Sequence, residues 1–181
     1  LRTGGADVSD LVVLPLVVAL ATAVLTLLVR PSDRLQRAVS VVGGVGYLGA
    51  VAALVSAVGL PFGPTTTLTY QVSNWTAPFG ISLVADPLSA FMLSFSALVA
   101  LAALVFAVLY VDSVGQKLSF HPLYHFMIVG VTGSFLTADI FNLFVWFEVM
   151  LMSSYILVLF YSGPQHTRAA LNYVVLNLIG S

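Results

Sequence analysis

The sequence predicts an all-α, polytopic transmembrane helix bundle of about five complete spans and a truncated sixth, with a short extended or hairpin segment between spans two and three. Three observations carry this expectation. Sixty per cent of the 181 residues are apolar and only 7% are charged, against about 25% charged in an ordinary soluble domain. The apolar residues gather in runs close to the ~20 residues that cross a hydrocarbon core of about 30 Å. Nearly all the charged residues fall between or at the ends of those runs. Six basic and seven acidic residues are too few to build a charged patch, so nucleic acid is not an expected partner. Cysteine is absent, which excludes disulfides, thiolate metal sites and thiol nucleophiles.

The first span is residues 11–29. Its "ALATA" offers small residues after a short apolar run, as a cleaved leader would, but the basic flank is nearly missing and the run continues to Val29. The second span is residues 39–60, where Gly49, Ala53 and Ala57 form a small-residue ladder suited to close helix packing. The long connection that follows contains "TLTYQVSNW", whose alternation of β-branched and aromatic residues predicts a short strand at the membrane surface. Tyr70 and Trp75 suit an interface, and "NWT" matches a glycosylation acceptor triplet of low specificity. The third span is residues 87–110, opened by Asp86 as N-cap and Pro87 in the first turn. The fourth is residues 121–137, beginning at "HPLY". The fifth is residues 140–161, stopped by "SGP". The sixth, residues 167–181, is incomplete. The chain begins at Leu1 and stops inside an apolar run, so the expectation is a single membrane domain, residues 1–181, that is a piece of a longer protein.

Five of the six basic residues, Arg30, Arg34, Arg37, Lys117 and Arg168, follow spans one, three and five. The positive-inside rule makes those loops cytoplasmic and the chain a multi-pass protein of the cell membrane. The fifth span then enters from outside near Asp139.

That span carries the one carboxylate inside an apolar run, Glu148, in "FNLFVWFEVMLMSSY". It lies nine residues beyond Asp139, or about 13.5 Å at a helical rise of 1.5 Å per residue, which is close to the bilayer midplane. A charged side chain there costs about 2.5 to 3.5 kcal/mol, so it needs a partner, water or a proton. Phe144, Leu151, Met152 and Tyr155 share its face, so any basic partner comes from another helix. Two readings stay open: a neutral packing group bonded across a helix interface, and a proton or ion relay. His125, Thr132 and Asp139, spaced by seven, follow one slowly drifting stripe. His125 and Asp139 are further relay candidates, with Asp139 also suited to cap the fifth helix. Tyr173, Asn177 and Ser181 share a face of the sixth helix, where hydrogen bonds between helices would satisfy them.

"GGVGYLG" lies inside an apolar helix rather than after a strand, so it is no phosphate loop. No metal-ligand spacing and no acyl-transfer constellation stands out. No cofactor and no metal are expected, and bond-making chemistry is not expected of this chain.

The run "FLTADIFNLFVWFEVMLMSSYILV", preceded by "GVTGS" and followed by "ALNYVVLNLIGS", resembles the D subunits of the Mrp-type multisubunit Na+/H+ antiporters. Upstream, "NWTAPFGISLVADPLSAFML" is similar to the same family. The family is related to the antiporter-like proton-pumping subunits of respiratory complex I. The resemblance implies that Glu148 matches the family's fifth-helix glutamate, coupled electrostatically to a lysine on a seventh helix beyond Ser181. It implies other membrane subunits as partners, protons and Na+ as cargo, and the lipid bilayer as surroundings. The sequence departs from the family at Asn172, where many relatives carry lysine, and at Ser73 and Asn74, where a glycine pair is usual. Two function classes follow: a proton-conducting subunit of a monovalent cation/proton antiporter, and a pumping subunit of a complex I-like NADH:quinone oxidoreductase or membrane-bound hydrogenase. A passive membrane scaffold is the foil to both.

Overall fold

Hydrocarbon offers the backbone no hydrogen bonds, and a helix satisfies its own N–H and C=O groups segment by segment. The computed structural model describes residues 8–61, 63–72, 80–110, 119–159 and 164–180. Within them the chain forms α1 (Asp10–Leu28), α2 (Asp33–Val58), β1 (Leu68–Gln71), β2 (Ser82–Ala85), α3 (Pro87–Tyr110), α4 (Phe120–Leu136), α5 (Ile140–Leu159) and α6 (Pro164–Gly180). Helices α1, α2, α3 and α5 are long and apolar enough to cross a bilayer. Helix α4, at 17 residues, sits at the lower limit of spanning length. Trp75, the 74–76 triplet, Lys117, and Ser162 and Gly163 of the expected stop lie outside the described residues.

The bundle encloses a set of polar side chains within an apolar core and is apolar outside as well. Thr22, Thr26, Gln36, Ser40, His121, His125, Thr132, Asn142 and Ser153 are buried, while Leu28, Phe91, Leu109 and Ile140 are exposed. Water would penalise that arrangement; lipid tails favour it.

Helix α2 begins at Asp33, ahead of the apolar run expected from residue 39. Its first turns carry Asp33, Arg34, Gln36 and Arg37, so hydropathy does not register them although the backbone is already helical. Arg34 and Arg37 therefore belong to the helix rather than to a loop. The expected strand is present, with β1 pairing antiparallel to β2 in the register Leu68↔Ala85 to Gln71↔Ser82. This hairpin is tied to the α4–α5 junction: Leu83 bridges Thr137, and the Ala138 N–H donates to the Ser82 carbonyl at 3.1 Å. Next to it, Asp86 caps α3, accepting the Ser89 N–H at 2.7 Å. Hydrogen bonds from the Ser89 side chain and backbone hold its carboxyl below the usual range. The start of α1 reaches the same hairpin. The hairpin, Asp86 and Asp139 thus share one end of the bundle, and Arg30, Arg34 and Arg37 lie at the other.

Helix α1 packs on α2 and α4, α3 on α2, and α5 on α4. Glycines set the last contact. A Cβ on Gly130 would stand 2.6 Å from the Met150 backbone nitrogen, and one on Gly133 would enter the Trp146 ring. The small-residue ladder expected on α2 does not act this way. A Cβ on Gly49 would meet nothing within 4 Å, and the buried face is instead Gly44, Tyr47, Ala50, Val51, Leu54 and Val58. The three small residues share a stripe, but that stripe is turned outward from the bundle core.

Candidate functional site

Helix α5 places Glu148. Asp139 opens the helix by accepting the Phe141 and Asn142 N–H groups at 3.1 and 3.3 Å, while Asn142 donates to the Thr137 hydroxyl at 3.0 Å. Trp146 and Met150 then seat on Gly133 and Gly130 of α4. Glu148 lies two residues from each, about 200° round the helix, so its side chain is turned away from α4. It is half-buried, and it makes no hydrogen bond or ion pair among the described residues. Tyr155 shares its face and interacts with it electrostatically. Tyr155 in turn meets Tyr173 of α6 edge to face, ring centroids 5.3 Å apart. Phe144, Phe147 and Leu151, which flank Glu148 along α5, help line an open groove of about 470 Å³ together with Asn177 and Gly180 of α6, a groove that Glu148 itself does not line. Asn177 donates to the Tyr173 carbonyl of its own helix at 3.0 Å, where a bond between helices was expected.

His125 is elsewhere. It faces α2, and its Nε2 lies 2.9 Å from Ser40 Oγ. The same oxygen is 3.0 Å from His121 Nδ1. His121 and His125 are 0% and 1% exposed, and Ser40 is 0% exposed. One turn before Ser40, the Gln36 amide donates to the Thr26 carbonyl of α1 at 2.9 Å. Seven residues after it, Tyr47 bonds Thr132 at 2.8 Å. Thr132 spends its own proton on the Ile128 carbonyl at 2.7 Å, so Tyr47 is the donor. Ser40 to His125 and Tyr47 to Thr132 are both separations of 85 residues, so α2 and α4 run in the same direction. Their backbones approach each other little, and polar side chains span the gap.

Glu148, His125 and Asp139 therefore do not form one cluster. Asp139 is exposed at the hairpin end, His125 is buried toward the arginine end, and Glu148 looks out from the far side of α5. Sequence reasoning does not single out Ser40, Tyr47, Gln36 or His121. The signal that finds them is a matching interval: Ser40 and Tyr47 on α2, like His125 and Thr132 on α4, are seven residues apart, and His121 precedes His125 by one turn. Among the described residues no three His, Asp or Glu side chains converge as metal ligands would.

No protein-family profile matches the chain. It is 38% identical over 173 residues, 96% of its length, to the D subunit of an Na+/H+ antiporter from Alkalihalophilus pseudofirmus. It is 37% identical over 179 residues to a Rhizobium meliloti protein named as the probable D subunit of a K+/H+ antiporter, covering 94% of this chain. It spans about a third of each relative, 34% and 32%. Among solved structures, a chain of the Mrp complex from Dietzia sp. superposes with a TM-score of 0.80 at 29% identity, covering 97% of this chain and 32% of that one. A chain of an archaeal respiratory membrane complex, the membrane-bound sulfane sulfur reductase, superposes with a TM-score of 0.78 at 25% identity, covering 96% and 34%.

Proposed function

The chain belongs to the family of D subunits of Mrp-type multisubunit antiporters, and on that premise we propose that it carries part of the proton path of a monovalent cation/proton antiporter, with Glu148 as the coupling carboxylate. One observation supports this reading: a carboxylate midway along α5, without a hydrogen-bond or ion-pair partner among the described residues and turned off the α4 interface. A packing group would be expected to bond across the nearest helix interface, because leaving a buried carboxylate unsatisfied is costly. A coupling group instead presents its charge to a partner that changes state. The basic partner is expected on a helix outside residues 1–181. Asp139, exposed and engaged in capping, is the weakest relay candidate; His125 belongs to the polar seam between α2 and α4. The cargo is protons against a monovalent cation, sodium first, since the names of the relatives include both Na+ and K+. Other membrane subunits are its partners.

The test uses the full-length subunit in its assembled complex. Glu148→Gln keeps size and hydrogen bonding but removes ionisation. It should assemble at wild-type level and lose most cation-dependent proton movement in everted vesicles, while Glu148→Asp keeps part of it. Near-normal transport by an assembled Glu148→Gln complex would leave only the packing role.

The basic end is assigned to the cytoplasm. The chain has no cysteine, so single labels read cleanly. Ser32→Cys should react with a membrane-impermeant thiol reagent only from the cytoplasmic side, and Thr65→Cys only from outside. The reverse pattern would invert the topology.

A second reading, a pumping role powered by redox chemistry on other chains, is favoured by the match to a respiratory complex, TM-score 0.78 against 0.80. Flavin or iron-sulfur subunits encoded beside this chain's gene would support it.

A further inference from the structure

Most buried hydroxyls in the described spans are committed to their own helix. Thr22, Thr26, Thr132 and Ser153 each donate to a carbonyl one turn back, at 2.7 to 2.8 Å. Ser40 makes no such bond. Its oxygen stands between two imidazole nitrogens, His121 Nδ1 at 3.0 Å and His125 Nε2 at 2.9 Å. A hydroxyl has one proton to donate. One of the two nitrogens must therefore carry a hydrogen and the other a lone pair, so the two neutral rings hold the same tautomer, both Nδ1–H or both Nε2–H. At its outer end the group is unsatisfied: His121 Nε2, Gln36 Oε1 and Arg37 Nε are buried without a hydrogen-bond partner. The Arg37 guanidinium would repel a doubly protonated His121, which makes that form a passing state rather than a resting one. An unsatisfied polar atom in a low-dielectric interior is costly, and donors and acceptors so placed suit a proton-carrying water.

Resting on the antiporter reading above, we propose that His121, Ser40 and His125 form a proton-loading site at the arginine-bearing end of the bundle, separate from Glu148. A proton arrives at His121 Nε2. The Nδ1 proton of His121 passes to Ser40 Oγ as the Ser40 proton passes to His125 Nε2, leaving His121 neutral and His125 as the imidazolium. His125 releases a proton from Nδ1 to a water molecule, so one proton enters and one leaves. Both rings have then switched from the Nδ1–H to the Nε2–H tautomer, and ring rotation or proton exchange with water restores the starting tautomers for the next proton. Deeper in the seam the Tyr47–Thr132 pair terminates on a backbone carbonyl and takes no part.

The full-length subunit in its complex is tested in everted vesicles at matched complex levels. His121→Gln retains a group able to bond Ser40 but cannot carry the extra proton. It should slow cation-dependent proton movement at least about tenfold, below the usual contribution of a positioned proton-transfer group. Ser40→Ala should do the same, and Ser40→Thr, which restores the hydroxyl, should recover most of the rate. Wild-type rates in assembled His121→Gln would overturn the site, since a structural role alone predicts that result. In the wild-type complex, nitrogen NMR of the two rings should find one Ser40-facing nitrogen protonated and the other bare; both protonated or both bare would overturn it without any variant. Slow transport in Glu148→Gln with a normal His121→Gln removes the loading site and keeps the coupling carboxylate. The opposite pair of results removes the carboxylate and keeps the loading site.

Discussion

The seam between α2 and α4 and the outer face of α5 handle polar groups in opposite ways. In the seam, side chains meet across a gap the backbones leave open, Ser40 with His125 and Tyr47 with Thr132, while the Gln36 amide at its outer end reaches the Thr26 carbonyl of α1. On α5 the backbone packs closely on α4 through Gly130 and Gly133, and the one carboxylate is turned the other way. Neutral hydrogen-bonding groups can therefore be enclosed at modest cost by facing pairs. An ionisable carboxylate is kept off the tight interface, where nothing on α4 could answer its charge. A close helix contact and a chargeable group occupy different faces of the same helix.

The comparison breaks most severely at Gly133. Gly133→Val places its side chain in the Trp146 ring, so α5 must move off α4. Overpacking of this kind costs about 3 kcal/mol at the upper end of its usual range. The expected result is little or no assembled complex by native gel, with Glu148 displaced together with its helix. An assembled complex of wild-type thermal stability would show that the α4–α5 contact is slack.

A milder change sharpens the contrast within the seam. Tyr47→Phe removes the donor to Thr132 but leaves the Thr132 bond to Ile128 intact. The loss should be about 0.6 kcal/mol, the average for a hydrogen bond between membrane helices, with transport unaffected. A thermal-melting shift of the complex measures the first, and vesicle transport the second. A large transport loss would extend the proton path into the inner seam. Smallest of all should be Asp139→Asn, because Asn caps a helix about as well as Asp. Unchanged stability and near-normal transport are expected, and strong inhibition would return Asp139 to the relay.

Much of the architecture follows from local information. The Asp86 and Asp139 caps stand next to the helices they open, and the β1 alternation is visible in "TLTYQV". A hydropathy run, a cap and an alternation each concern residues within one or two turns, so they survive reading without a fold. The start of α2 is not legible in the same way, because its first turns are polar in sequence, although Gln36 and Ser40 there are buried against α1 and α4.

The sequence by itself determined that the chain crosses a membrane, that its spans are helical, and that Glu148 lies near the middle of one. Those statements need only composition, span length and a rise per residue. The tertiary structure alone decided which face Glu148 presents, that Gly130 and Gly133 rather than Gly49, Ala53 and Ala57 bring helices together, and that Ser40 joins His121 to His125. The physical reason is the distance along the chain. Ser40 and His125 are 85 residues apart, and no local preference of either residue refers to the other until α1 has packed against α2 and α4 and set the gap they bridge.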